Sequence, residues 1–108
     1  MRGINKVSLL GNFVRDPETI LIEGEDETVC HVKFATTDQT IKKGKKIKQS
    51  DFHSLILVGG LAELALKYMR KGSQAFFIGK NKIIHERNVV YIDRTGEMIM
   101  LGGKPKPK

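Results

Sequence analysis

The chain has no tryptophan, so any stacking on a planar ligand must come from its five phenylalanines and two tyrosines. It has one cysteine, Cys30, which cannot form an internal disulfide. Cys30 lies in an apolar stretch and reads as inert packing, which fits a reducing, cytoplasmic setting. No apolar run approaches the roughly 20 residues that span a bilayer, so no membrane partner is expected. The N-terminus lacks the apolar core of a signal segment, because Val7–Leu10 has only the length of a strand. The histidines, His31, His53 and His85, show no metal-cluster spacing. Neither Gly59-Gly60 nor Gly102-Gly103 is followed by the Lys-Ser/Thr of a phosphate loop. These absences argue against an enzyme, and no cofactor or metal is expected.

What the chain has in excess is positive charge. The formal net charge is +7 over 108 residues, with a pI near 9.7. A polyanion is the natural partner of such a surface. Lys42, Lys43, Lys45, Lys46 and Lys48 crowd one polar stretch, while Glu23, Glu25, Asp26 and Glu27 form a separate acidic turn. That segregation predicts one face for phosphate and another turned away from it.

The pattern of apolar residues predicts an all-β domain. Lys6–Phe13 reads as a strand ended by Gly11-Asn12, and Thr19–Glu23 as a short second one. Thr28–Thr36 returns, with a bulge near His31 to reconcile Val29, Val32 and Phe34. Thr37–Ser50 is polar and lysine-rich and reads as a long exposed hairpin connection. Phe52–Val58 ends in a nearly continuous apolar run, as in a strand covered on both sides. Leu61, Leu64, Ala65 and Tyr68 form the stripe of a helix over Leu61–Arg70, stopped by Gly72. Ala75–Ile84 and Val89–Asp93 are strands joined tightly at His85–Asn88, and Met98–Leu101 closes the fold. Five long strands with one short α-helix between the third and fourth follow the order of a five-stranded OB-fold barrel. One domain, 1–103, is expected, followed by a disordered basic tail at 104–108.

Three blocks carry a family resemblance. They are Arg2-Gly-Ile-Asn-Lys-Val-Ser-Leu-Leu-Gly-Asn12 with Asp16-Pro-Glu18, then Asp51 to Gln74 with its Phe52-His53 pair and Leu-Ala-Glu-Leu-Ala core, then Met98-Ile-Met-Leu-Gly-Gly103. Together they resemble the bacterial single-stranded-DNA-binding proteins across nearly the whole chain. The resemblance implies sequence-nonspecific binding of single-stranded DNA in replication, recombination and repair. It implies a homotetramer built from dimers, with replication and repair proteins as further partners. The family's acidic C-terminal motif has no counterpart in Lys104-Pro-Lys-Pro-Lys108.

The expected nucleic-acid contacts follow from charge and resemblance together. The resemblance places Arg2, Asn5 and Lys6 near DNA, and charge adds Lys42, Lys43, Lys45, Lys46, Lys48, Lys80 and Lys82. Phe52 stands where the family has a tryptophan, and is the one stacking position that stays aromatic. Its competing reading is a core phenylalanine. Other family aromatics fall at Thr40, Val58 and Glu86, so a base-stacking contribution of about 1–3 kcal/mol per site is lost there. The resemblance assigns His53 to a subunit interface. Phe76, Phe77 and Ile78 in a row cannot all face one core, so Phe76 and Ile78 are expected at an interface as well. A second function stays open: an OB-fold paralogue serving mainly as a protein-interaction subunit of a replication or primosome assembly. RNA binding by the same face stays open too.

Overall fold

The computed structural model describes residues 3–101. Arg2 and the tail 104–108 therefore lie outside the described residues. The strands are β1 (Val7–Phe13), β2 (Glu18–Ile20), β3 (Val29–Lys42), β4 (Lys45–Val58), β5 (Gln74–Ile84), β6 (Arg87–Ile92) and β7 (Glu97–Met100). The helix α1 (Gly60–Tyr68) lies between β4 and β5. The sheet order is β1-β3-β4-β6-β5, and β5 pairs again with β1. Five long strands thus close on themselves, with β4 and β6 as the parallel pair. This is the OB-fold barrel expected from the element order, with β2 added beside β3 and β7 beside β5.

Closure needs a glycine. The β1–β3 seam has only the pairs Asn12–Ala35 and Phe13–Phe34. At Gly11 a Cβ would overlap the carbonyl of Ala35, so the two backbones approach this closely only because no side chain intervenes. Below the seam Phe13, Phe34 and Phe77 pack edge-on or tilted, with centroids 5.0–6.1 Å apart. Cys30, Val32, Leu55, Leu57, Ala75 and Ile92 complete the interior.

The structure bears on four expectations. First, β3 and β4 pair without interruption from Val29–Val58 to Lys42–Lys45. There is no bulge near His31. Val29 faces outward into a second apolar cluster with Ile56, Val58 and Val89, while Cys30, Val32 and Phe34 alternate inward. Both faces are covered there, which is why the apolar pattern lacked period two. Second, the exposed hairpin expected at Thr37–Ser50 is present. It is the distal half of a regular two-stranded arm closed by the turn Lys43-Gly44, both residues at positive φ (51° and 76°).

Third, the buried face of α1 is Ala62 and Ala65, continued by Met69. Leu64 and Tyr68 are exposed. The helix packs against β3 and β4 over the barrel, where small alanines let its backbone sit close. Fourth, the acidic turn lies near Tyr91. Ile20 and Ile22 cover the outer cluster beside Tyr91, and the negative charge of Glu25 and Glu27 reaches the Tyr91 phenol.

The motif residues of the first block fasten this plug. Asp16 Oδ1 accepts the Lys71 amide at 2.8 Å, and Asn12 Nδ2 donates to the Gly72 carbonyl at 3.2 Å. Gly72 N and Phe13 N complete the clasp by donating to Phe13 O and Ser73 O.

Candidate nucleic-acid interface

The constant register of β3 and β4 divides the arm into two faces, because residues opposite one another share a side and neighbours alternate. One face carries Lys33, Ala35, Thr37, Gln39 and Ile41 against Ser54, Phe52, Ser50, Lys48 and Lys46. It has three lysines and no carboxylate. The other face carries Thr36, Asp38, Thr40 and Lys42 against Asp51, Gln49, Ile47 and Lys45. It has two lysines and two aspartates, the aspartates lying four or more positions nearer the barrel. The five hairpin lysines are therefore not equivalent. Lys46 and Lys48 stand on the uncompensated face, Lys42 and Lys45 on the compensated one, and Lys43 at the turn.

Phe52 belongs to the uncompensated face, opposite Ala35. It is 61% exposed, which rejects the core reading and leaves its ring open to a planar partner. Every residue from Thr37 to Phe52 is exposed, so the arm has no core beneath it.

The outer face continues onto the second hairpin. Ile56 of β4 is the register partner of Tyr91 in β6, and Tyr91 lies opposite Lys80. Lys82 Nζ sits 4.2 Å from the Tyr91 ring centroid, a cation–π contact that holds the ammonium in place. Asp93 tempers this charge. Its carboxylate accepts the Thr95 hydroxyl at 2.6 Å and the Thr95 amide at 2.9 Å. Those bonds, with Lys80 and Lys82 nearby, hold its pKa below the usual carboxylate value. A recess of about 250 Å³ brings Lys6 and Lys80 together beside Tyr91 and Thr95.

Asn5 is fastened to β5. Its amide donates to the Asn81 carbonyl at 2.7 Å and accepts the Asn81 amide at 2.8 Å. Asn5 thus clips the segment before β1 to β5, with its hydrogen-bonding groups engaged by backbone. The β5–β6 turn is as short as the sequence implied, with Ile84 opposite Arg87. Its two central residues, His85 and Glu86, both sit at positive φ (51° and 63°), a conformation side chains disfavour.

The residues expected at interfaces separate. His53 shares the inward side with Phe34, and its Nε2 lies 2.9 Å from the Thr36 hydroxyl. Phe76 and Ile78 instead face out of the barrel, opposite Leu10 and Ser8 of β1, while Phe77 is fully buried. Leu10, Phe76 and Ile99 form a cross-strand row whose ends are 54% and 48% exposed.

Sequence reading missed Lys33, Ser54 and the outward Tyr91. Alternation from Phe52 reaches Ser54, but Lys33 joins that face only through the β3–β4 register. Among the described residues no cluster of His, Cys, Asp and Glu could hold a metal ion. Burial pushes the Cys30 thiol up to about 11, the behaviour of a packing residue.

Comparison with known proteins agrees with this fold. The solved structure titled "Plasmodium falciparum SSB complex with ssDNA" superposes with a TM-score of 0.79 at 20% identity, covering 94% of this chain and 97% of that one. That likeness shows the fold. Residues 4–87, which include the clasp, the arm, Phe52 and the β5–β6 turn, match the single-strand binding protein family. With most of the chain accounted for by that match, the protein belongs to the single-strand binding protein family.

Proposed function

We infer that this protein binds single-stranded DNA without enzymatic activity, through the outer face that joins the arm to β5 and β6. The observation that carries the reading is the unbroken β3–β4 register, which sets three lysines and the exposed Phe52 ring on one side with no carboxylate among them. Sequence-tolerant binding of a single strand needs those two devices together: a basic track for phosphates and an aromatic face for bases. Family membership supports the same reading. Nothing in the site favours a protein-interaction subunit instead.

The test is titration with oligo-dT at several salt concentrations. Phe52→Ala should weaken binding by about 1–3 kcal/mol and leave the salt slope nearly unchanged, because stacking releases few counterions. Phe52→Trp gives the chain its first indole. Its fluorescence should fall as the oligomer binds. An Ala variant that binds oligo-dT as tightly as the parent would remove the stacking role.

Roles in replication, recombination and repair, with protein partners from those processes, are proposed on the family resemblance, as is a cytoplasmic setting. A homotetramer built from dimers is proposed for the assembly. Two features support it. The Leu10–Phe76–Ile99 row borders β1, whose Val7–Leu10 edge pairs with β5 on one side and has no strand partner on the other among the described residues. His53 lies on a separate side, as a second interface would require. Light scattering should give a tetramer, and Phe76→Lys a smaller species.

A further inference from the structure

The β1–β5 ladder ends at the pair Val7–Gly79. One residue further, the same antiparallel register sets Lys6 opposite Lys80, and beyond them Asn5 opposite Asn81. The strand itself does not continue there, because β1 begins at Val7. The Asn5 side chain takes its place. Its Nδ2 donates to the Asn81 carbonyl at 2.7 Å and its Oδ1 accepts the Asn81 amide at 2.8 Å, the two bonds that a neighbouring strand would make. Lys6 is thus bracketed by backbone pairing on one side and by the Asn5 clip on the other.

This bracket works against electrostatics. Like charges directly opposite one another destabilise a strand pair. At an unfastened chain end the exposed Lys6 would be free to swing away from Lys80. The clip instead keeps both lysines on one recess of about 250 Å³, beside Tyr91 and Thr95. No carboxylate lines that recess, and Asp93, whose carboxylate is taken up by Thr95, is not among its lining residues. Two ammoniums held together around a small polar recess suit one phosphate group, which accepts a charge-assisted hydrogen bond from each and relieves their repulsion.

Resting on the single-stranded-DNA reading above, we propose that Lys6 and Lys80 hold one phosphate of the bound strand between them, and that Asn5 is a positioning residue acting on DNA through Lys6. Asn5 then contributes to binding without touching the strand. The recess is a fixed point on a surface whose other lysines stand on an arm with no core beneath it.

The experiment is a double-mutant cycle read by anisotropy of labelled oligo-dT, with Asn5→Ala, Lys6→Ala and the two combined, each checked to be folded at the assay temperature. Lys6→Ala should bind about tenfold more weakly, the order of a hydrogen bond to a charged group. Asn5→Ala should lose roughly threefold or more in the parent and nothing further in the Lys6→Ala background. An Asn5 that only supports the fold, or that touches DNA itself, would lower affinity equally in both backgrounds, and that result overturns the positioning role. So does parental affinity in Asn5→Ala. Salt dependence tests the shared phosphate. Lys6→Ala with Lys80→Ala should flatten the slope of log K against log salt by about 0.7, one phosphate, whereas a loss of about 1.4 assigns each lysine its own phosphate and overturns the shared site. Failure of the parent to bind oligo-dT at all would overturn the DNA-binding reading, and this site with it.

Discussion

Removing two lysines from one side of the arm should not equal removing two from the other. Lys46 and Lys48 share a face with Phe52 and Lys33, with no carboxylate among them. Lys42 and Lys45 share theirs with Asp38 and Asp51. The double variants Lys46→Ala/Lys48→Ala and Lys42→Ala/Lys45→Ala lower the net charge equally, so any difference between them reports geometry. Each phosphate neutralised on a single strand contributes about 0.7 to the slope of log K against log salt. If both lysines of the Phe52 face contact phosphate, their loss should flatten the slope by about 1.4. Raising salt from about 50 to 200 mM would then cost the variant roughly sevenfold less affinity than it costs the parent. The Lys42/Lys45 variant should keep most of the parental slope, because those lysines stand on the side of the arm opposite Phe52. Fluorescence anisotropy with labelled oligo-dT at four or five salt concentrations measures all three slopes. If both variants lose the same slope, the arm acts as a diffuse cloud of charge and the division into faces is functionally empty.

Other outcomes follow from the barrel and its turns. Gly11→Ala should destabilise by about 1–3 kcal/mol or more, since the new methyl meets the rigid Ala35 backbone at the narrow β1–β3 seam; urea denaturation will measure it. In the β5–β6 turn, His85→Asn with Glu86→Gly should stabilise by about 1 kcal/mol or more, because both positions occupy the left-handed region, and the denaturation midpoint should rise. Burial first, and then Arg15 and Lys33 against the opposing Glu18, lower the pKa of His31. Its folded pKa thus lies below the unfolded value of about 6.5, so this contribution is intact above that pH and declines as pH falls through it toward the folded value. Denaturation at neutral and mildly acidic pH should show that decline, and His31→Gln should lessen it.

The barrel was legible because its signals are local. Strand-length apolar runs and the brief His85–Asn88 connection each state their element without knowledge of the rest, and their order gives the fold; the helix ends at Tyr68, short of the expected stop at Gly72. The errors arose where the answer depends on what lies opposite. Val29 broke the expected alternation because a second apolar layer covers it, and no local pattern distinguishes that layer from a bulge. Thr37–Ser50 is legible as an exposed hairpin, but the unbroken register that pairing alone gives it is not. Leu64 and Tyr68 fit a helical stripe, but Ala62 and Ala65 fill the narrow seat. At the interface the residue types were readable and their sides were not. Lysines in a cluster announce a polyanion, but only the register separates Lys46 and Lys48 from Lys42 and Lys45.

The arm also has a phase. Nothing beneath it pins its residues, so their side is counted only from Phe52, which the barrel holds. Deleting Gln49 leaves every residue type near the tip in place, yet Lys48 and Lys46 rotate to the side opposite Phe52, and Lys45 and Ile47 take their place. Removing Gln49 and Lys48 together restores the alternation for the residues beyond them. The barrel should scarcely notice either change, while binding should respond to the parity of the length. In this segment the number of residues is itself part of the recognition surface, and single-residue insertions or deletions should be tolerated by the fold long before they are tolerated by function.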